Sequence, residues 1–431
     1  MATIPTKVVV FAYQVGFGDC FLLRFSYPTR ERHVLIDFGT TELPDTAGEE
    51  PMLAIARDIA KKCNGVLEVV VATHRHTDHI SGFATNKSGT GPGDVIRALK
   101  PKVVIQPWTE DPDLQTDATG PAVSDDVRGA RRFAGSLQAM QGIAQQVHEL
   151  ARGPEMRRLA PAVREQLAFL GQDNLTNRSA VENLMTMGAR SLYVAFGASV
   201  ALGRVLPGVK AHVLGPPTLR QTDSIRKQRV RDRDEFWHLQ LKRLGDEGGL
   251  AAAEQVLFPD RPYVSGGKLP FSSRWLAQRL RAARGEQLLA LVRILDDVMN
   301  NTSVILLFEA GNKKLLFPGD AQIENWSYAL SQPTIQKLLA DVDLYKVGHH
   351  GSLNATPKTV WGLFSKRSSN PGSGRLTAVL STLPGKHGSE ASNTEVPRRT
   401  LLSALQAESN LHSTHLLPGG ALLEEVSLPL T

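Results

Sequence analysis

Apolar positions at the start of the chain come in short runs rich in β-branched and aromatic residues. KVVVFAYQVG, CFLLRFSY and HVLIDFG, punctuated by Gly and Pro, predict three strands in succession. MLAIARDIAKKC then spaces its apolar residues at helical intervals, and an apolar strand from Leu67 to Ala72 ends at Thr73. A Gly-rich loop (SGTGPGD), a short helix around Val95 to Leu99 and a strand at KVVIQPW follow. From about Val127 to Met187 the pattern turns helical, and strand character returns at SLYVAF and VKAHVLGPPT. A second helical stretch runs roughly from Leu219 to Asp297, interrupted by Gly-Gly and by PDRPYVSGGKLPFSS, before SVILLFEA, KKLLFPGD, DLYKVGHH and LTAVLST resume the strands.

Strands alternating with helices predict an α/β fold. Strand character at both ends with helices between predicts one core carrying insertions. The core spans about 7–110, 185–217 and 300–425, and the helical insertions about 120–185 and 219–298. No internal repeat of fixed period is present.

Composition changes this picture little. Of 431 residues, 42% are hydrophobic and 21% charged, which suits a packed soluble protein and excludes a disordered chain. The net charge of +6 permits an anionic partner without requiring one. Two cysteines, Cys20 and Cys63, cannot build a disulfide framework and fit a reducing cytosol. The opening residues lack a secretory pattern, and no run approaches the ~20 apolar residues of a membrane span, so the expected location is cytoplasmic and off the membrane. SGTGPGD lacks the Lys-Ser/Thr ending of a phosphate-binding loop, and no G-x-S-x-G elbow supports serine catalysis. In RKQRVRDRDE (Arg226 to Glu235) acids interleave the bases, as on a solvated helix face. RWLAQRLRAAR (Arg274 to Arg284) reads as a basic amphipathic helix, either a surface helix or one that covers a cleft or engages a partner.

The chemistry concentrates in THRHTDH, where His74, His76, Asp78 and His79 follow directly on an apolar strand. Imidazole and carboxylate together suit zinc, manganese or iron. Two more strands end on candidate ligands: LLFPGDA on Asp320, and DLYKVGHHGS on His349 and His350.

This H-x-H-x-D-H pattern, with the later aspartate and histidine, resembles the metallo-β-lactamase superfamily, whose fold is an αββα sandwich with a dinuclear metal site at one edge. VGFGDC and VLIDFG resemble that family's opening hairpin and place Asp19 and Asp37 near the site in a structural or supporting role. NNTS (Asn300 to Ser303), PGD and KVGHHGS together look like the hydrolase domain of ComEC-type DNA-uptake proteins, and phosphorylcholine esterases share parts of the pattern.

The resemblance implies two divalent cations, zinc favoured and manganese the alternative. His74 and His76 would hold the first, Asp78, His79 and His349 the second, and Asp320 would bridge them. The first metal lacks an evident third histidine. His212 and His148 are candidates for it, and each also reads as an ordinary satisfied or exposed histidine. Adjacent residues at a strand end point to opposite sides, so one of His349 and His350 is expected to bind metal. His349 is favoured, leaving His350 to meet substrate as a phosphate contact or proton donor, with His387 of GKHGS the rival general acid.

The implied activity is hydrolysis of a phosphodiester, in a nucleic acid, a nucleotide or a related ester, by a metal-bound hydroxide, with Asp78 and Asp320 fixing the metals. Two alternatives stand beside it. One is the same site acting on a carbon ester, thioester or lactam; the other is a non-enzymatic metal-binding sensor or scaffold. The helical insertions would serve a protein partner, a homo-oligomer or a lid.

Overall fold

The computed structural model describes residues 4–111, 120–121, 178–222, 224–226, 235, 299–354, 356–372, 374–388 and 394–430. The chain opens with an antiparallel meander, β1 (Lys7–Tyr13), β2 (Cys20–Tyr27) and β3 (Arg30–Phe38). Then α1 (Pro51–Cys63), β4 (Val69–Val71), α2 (Thr77–Ile80), α3 (Pro92–Ala98) and β5 (Val103–Pro107) alternate. After α4 (Arg178–Thr186) come β6 (Ser191–Val194) and β7 (Val209–Gly215). Past residue 298 follow β8 (Ile305–Ala310), β9 (Lys313–Phe317), α5 (Ile323–Leu330), α6 (Pro333–Ala340) and β10 (Leu344–Lys346). The chain closes with α7 (Lys358–Leu363), β11 (Thr377–Leu380), α8 (Arg399–Glu408), β12 (Asn410–Ser413) and β13 (Leu423–Pro429).

The strands form two mixed sheets, ordered β13-β1-β2-β3-β4-β5-β6 and β12-β11-β10-β9-β8-β7. In the first, β3 to β6 run parallel; in the second, β9 to β12 do. The α/β class read from the sequence is the class observed.

Strand alternation decides what each face buries. Val8, Val10 and Ala12 of β1 join a cluster with Leu306, Phe308, Leu315 and Phe317 of the second sheet, whereas Val9, Phe11 and Tyr13 join one with Ile55, Ile59 and Ile96 of the helices. On the second sheet Leu307 and Leu316 pack with Trp326, Leu339, Trp361 and Leu405 of α5 to α8. Because both faces of the central strands are covered, those strands are almost continuously apolar, which makes them legible as runs, while the edge strands β12 and β13 are half-exposed and mixed. The expected insertions at about 120–185 and 219–298, with His148 and the basic stretches at 226–235 and 274–284, lie almost wholly outside the described residues. Among the described residues no helix is long and apolar enough to cross a membrane.

Candidate metal centre

Three parallel strand ends supply the centre: β4 leads into Thr73–His79, β9 into Asp320, and β10 into His349 and His350. Ligand chemistry at the carboxyl ends of parallel strands follows from the topology, because there the connections leave the sheets.

The first strand end is braced by β3. Asp37 is an extra residue in its strand: Cys20 pairs with Phe38 and Phe21 with Ile36, leaving Asp37 at φ 54° between them. This bulge breaks the alternation, so Ile36 packs between the sheets and Phe38 packs outside. The Asp37 carboxylate is thereby aimed along the strand end. It accepts hydrogen bonds from the Thr73 N–H (2.7 Å) and hydroxyl (2.8 Å), and from His79 Nδ1 (2.8 Å). A hydrogen-bonded Nδ1–H leaves the lone pair of His79 on Nε2, which stands 3.0 Å from Asp320 Oδ2. His350 repeats the device. Its Nδ1 donates to the Ser381 carbonyl (3.0 Å), and its Nε2 lies 2.8 Å from Asp78 Oδ2 and 3.8 Å from Asp320 Oδ2. Asp320 is in turn held by its own N–H donating to Ser303 Oγ (3.3 Å), at the end of the NNTS stretch.

Candidate ligand atoms of Asp78, His79, Asp320 and His350 all lie within 4.8 Å of one another, and so do those of His74, His76 and Asp78. His74 Nε2 and His76 Nδ1 are 3.0 Å apart. The two groups share Asp78 and together comprise six residues, all buried. Asp78 Oδ1, His79 Nε2 and both oxygens of Asp320 are buried with no hydrogen-bond partner. A divalent cation would satisfy these atoms together, and the imidazole and carboxylate donors suit zinc or manganese.

The structure changes three expectations. His350, not His349, joins the ligand-like group: His350 is fully buried with both ring nitrogens engaged, so it does not face a substrate. The alternation argument fails because His349 (φ 40°) and His350 (φ 50°) form a left-handed turn beyond the strand. His349 Nε2 stands 3.8 Å from Asp320 Oδ2 on a side chain 23% exposed. His212 lies apart from both groups, on β7 with Nε2 3.6 Å from Glu309. His387 packs on the Phe17 ring (4.7 Å between centroids), whose other neighbour is the ring of His350 (4.4 Å). Burial, reinforced by His349 and His350, pushes His387 down to about 3, so near neutral pH it is the neutral imidazole and not the imidazolium of a general acid.

One residue was missed. Lys346, at the end of β10, is buried, paired with Asp19, and 3.5 Å from Asp320 Oδ1. Its only sequence signal was position, since the period of two puts it on the same inward face as Leu344.

No protein-family model matches the chain, and no curated protein matches it in sequence.

The histidines predict a pH response of the metal-free protein. Burial lowers His33, His74, His349 and His76, the last to about 4. Below the unfolded value near 6.5 the unfolded chain takes up protons that these rings refuse, so stability falls from pH 6.5 toward pH 4. His76 alone accounts for about 3 kcal/mol of that loss. His79 and His350 go the other way: nearby carboxylates raise both despite burial. Their contribution is fully present below pH 6.5 and fades only as pH rises, so it does not offset the acid loss. Melting temperatures of chelator-treated protein should therefore drop steadily across this interval; a level profile would show that the rings are not buried as described.

Proposed function

We propose that this chain is a metal-dependent hydrolase of the metallo-β-lactamase type, with an αββα core, that cleaves phosphodiesters. The observation that carries this reading is the set of buried Nε2 and carboxylate atoms without hydrogen bonds, aimed at one another by Asp37 and the Ser381 carbonyl. The layering of helices outside two facing sheets supports the fold assignment.

In this reading His74 and His76 hold one cation, Asp78, His79 and His350 the other, and Asp320 serves both. Divalent cations in such a site lower the pKa of water and offset charge developing on the oxygens of the reacting ester. The protein's own contribution is order. Asp37 and Ser381 fix the two imidazoles, and Ser303 fixes Asp320, so little reorganisation remains when substrate arrives. His349, the more exposed imidazole, would hydrogen-bond a substrate oxygen. His387 is its neutral companion beyond Phe17. The preference for phosphorus over carbon rests on the KVGHHGS and NNTS motifs.

The test is metal content and turnover on the same preparation. Chelator-stripped protein reloaded with zinc or manganese should retain two cations per chain after desalting and hydrolyse bis(p-nitrophenyl) phosphate. Metal uptake with turnover only of p-nitrophenyl acetate would shift the reading to carbon esters. Failure to retain either cation would sink it.

A further inference from the structure

Four buried carboxylates, Asp19, Asp37, Asp78 and Asp320, converge on this centre. Lys346 enters among them from the second sheet: its ammonium pairs with Asp19 of the first sheet, lies 3.5 Å from Asp320 Oδ1, and donates to the Gly319 carbonyl (3.3 Å). Burying an ammonium costs several kcal/mol, and an apolar residue here would simply extend the inward row begun by Leu344. Yet Asp19 is held in place by backbone bonds, its N–H donating to the Asp78 carbonyl (2.9 Å) and its carbonyl accepting from Gly39 N–H (3.0 Å). The carboxylate therefore cannot retreat to water, and some cation must answer it.

Asp320 is divided by the same arrangement. Its Oδ1 faces Lys346, while Oδ2 faces His79, His350 and His349. The third cluster of ligand-type atoms, Asp19, Asp37 and His79, is likewise the one that the ammonium adjoins.

We propose that Lys346 and Asp19 form a charge-setting pair beneath the metal centre, a resident cation and its counter-ion whose balance fixes how tightly the centre holds divalent cations. The inference rests on the metal reading above. Removing the ammonium exposes an uncompensated carboxylate and tightens cation binding; removing the carboxylate leaves an uncompensated ammonium and loosens it. Lys346 is a positioning residue in this scheme, since it acts through Asp320 and the field of the site and not on substrate.

The test uses full-length chelator-stripped protein titrated with zinc alone, by calorimetry, in four forms: wild type, Lys346→Met, Asp19→Asn and the double variant. The expected result is opposite shifts, tighter in Lys346→Met and weaker in Asp19→Asn, each by at least about tenfold, a lower bound for a unit charge within about 8 Å of a divalent cation at an effective dielectric near 20. The double variant should return close to wild type. A merely structural clasp would weaken binding in both single variants, and shifts of the same sign overturn the proposal while leaving the metal reading intact. Wild-type protein that takes up no zinc overturns both. If Lys346→Met does not fold, as judged by circular dichroism, Asp19→Asn decides: unchanged or tighter zinc binding there is incompatible with the pair's assigned role.

Discussion

Asp320→Asn should lose turnover by about a thousandfold or more and should come off a desalting column with less than its full complement of metal. The loss exceeds the 10–100-fold typical of residues that only orient ligands, because on the proposed reading the substitution removes charge from a side chain that itself holds metal. Asparagine keeps the shape, so packing around Ala321 and Ile323 is untouched, and the N–H to Ser303 Oγ persists. What changes is the chemistry of the two orphaned oxygens, one of which becomes an NH2 facing either His79 Nε2 or Lys346. Either orientation is unfavourable: an amide cannot supply the negative charge that raises His79. Metal analysis beside initial rates on bis(p-nitrophenyl) phosphate checks this. A variant with wild-type metal content and turnover within about twofold would remove Asp320 from the site.

How much of this was legible beforehand depended on whether a residue's role followed from its place in a regular element. The central strands could be read because both of their faces are buried, so each wrote itself as an apolar run, whereas the edge strands β12 and β13, half-exposed and mixed in composition, were not read. THRHTDH, PGD and HHGS could be read because each terminates such a run, and chains leave parallel sheets at those edges. The exchange of His349 and His350 was beyond the same rule, since alternation holds only for extended backbone and both residues have positive φ. Asp37 was legible as a neighbour of the site but not as its brace, because the bulge that re-aims it depends on the pairing of β2 with β3. Lys346 was hidden for a different reason. A lysine on a strand is ordinarily a surface residue, and only its partners Asp19, over 300 positions earlier in the chain, and Asp320 make its burial tolerable.

The least legible residue of all carries no functional group. Gly39→Ala should cost about 100-fold in turnover and about 1–3 kcal/mol in stability, although it adds only one methyl group. A Cβ at Gly39 would stand 2.4 Å from the Asp78 carbonyl carbon and 2.5 Å from the backbone N and C of His79. These are backbone atoms of α2, so no side chain can swing aside. Either the end of β3 retreats or the turn bearing both ligand-type residues moves. The first is resisted by the Gly39 N–H, which donates to the Asp19 carbonyl, and by Asp37, which grips Thr73. Displacement therefore falls on Asp78 and His79, whose carboxylate and Nε2 positions are set by their bonds to His350 and Asp37. Gly48→Ala is the matched control, because its Cβ would meet nothing within 4 Å. It should leave rate and melting temperature at wild-type values or raise the latter slightly by narrowing the unfolded ensemble. Thermal melts and initial rates of the two variants, measured side by side, separate the effect of a crowded strand end from that of losing a glycine. Equal behaviour of the pair would mean that β3 yields without moving α2, and that the rigidity assigned here to Asp37 and Asp19 is not what holds the centre together.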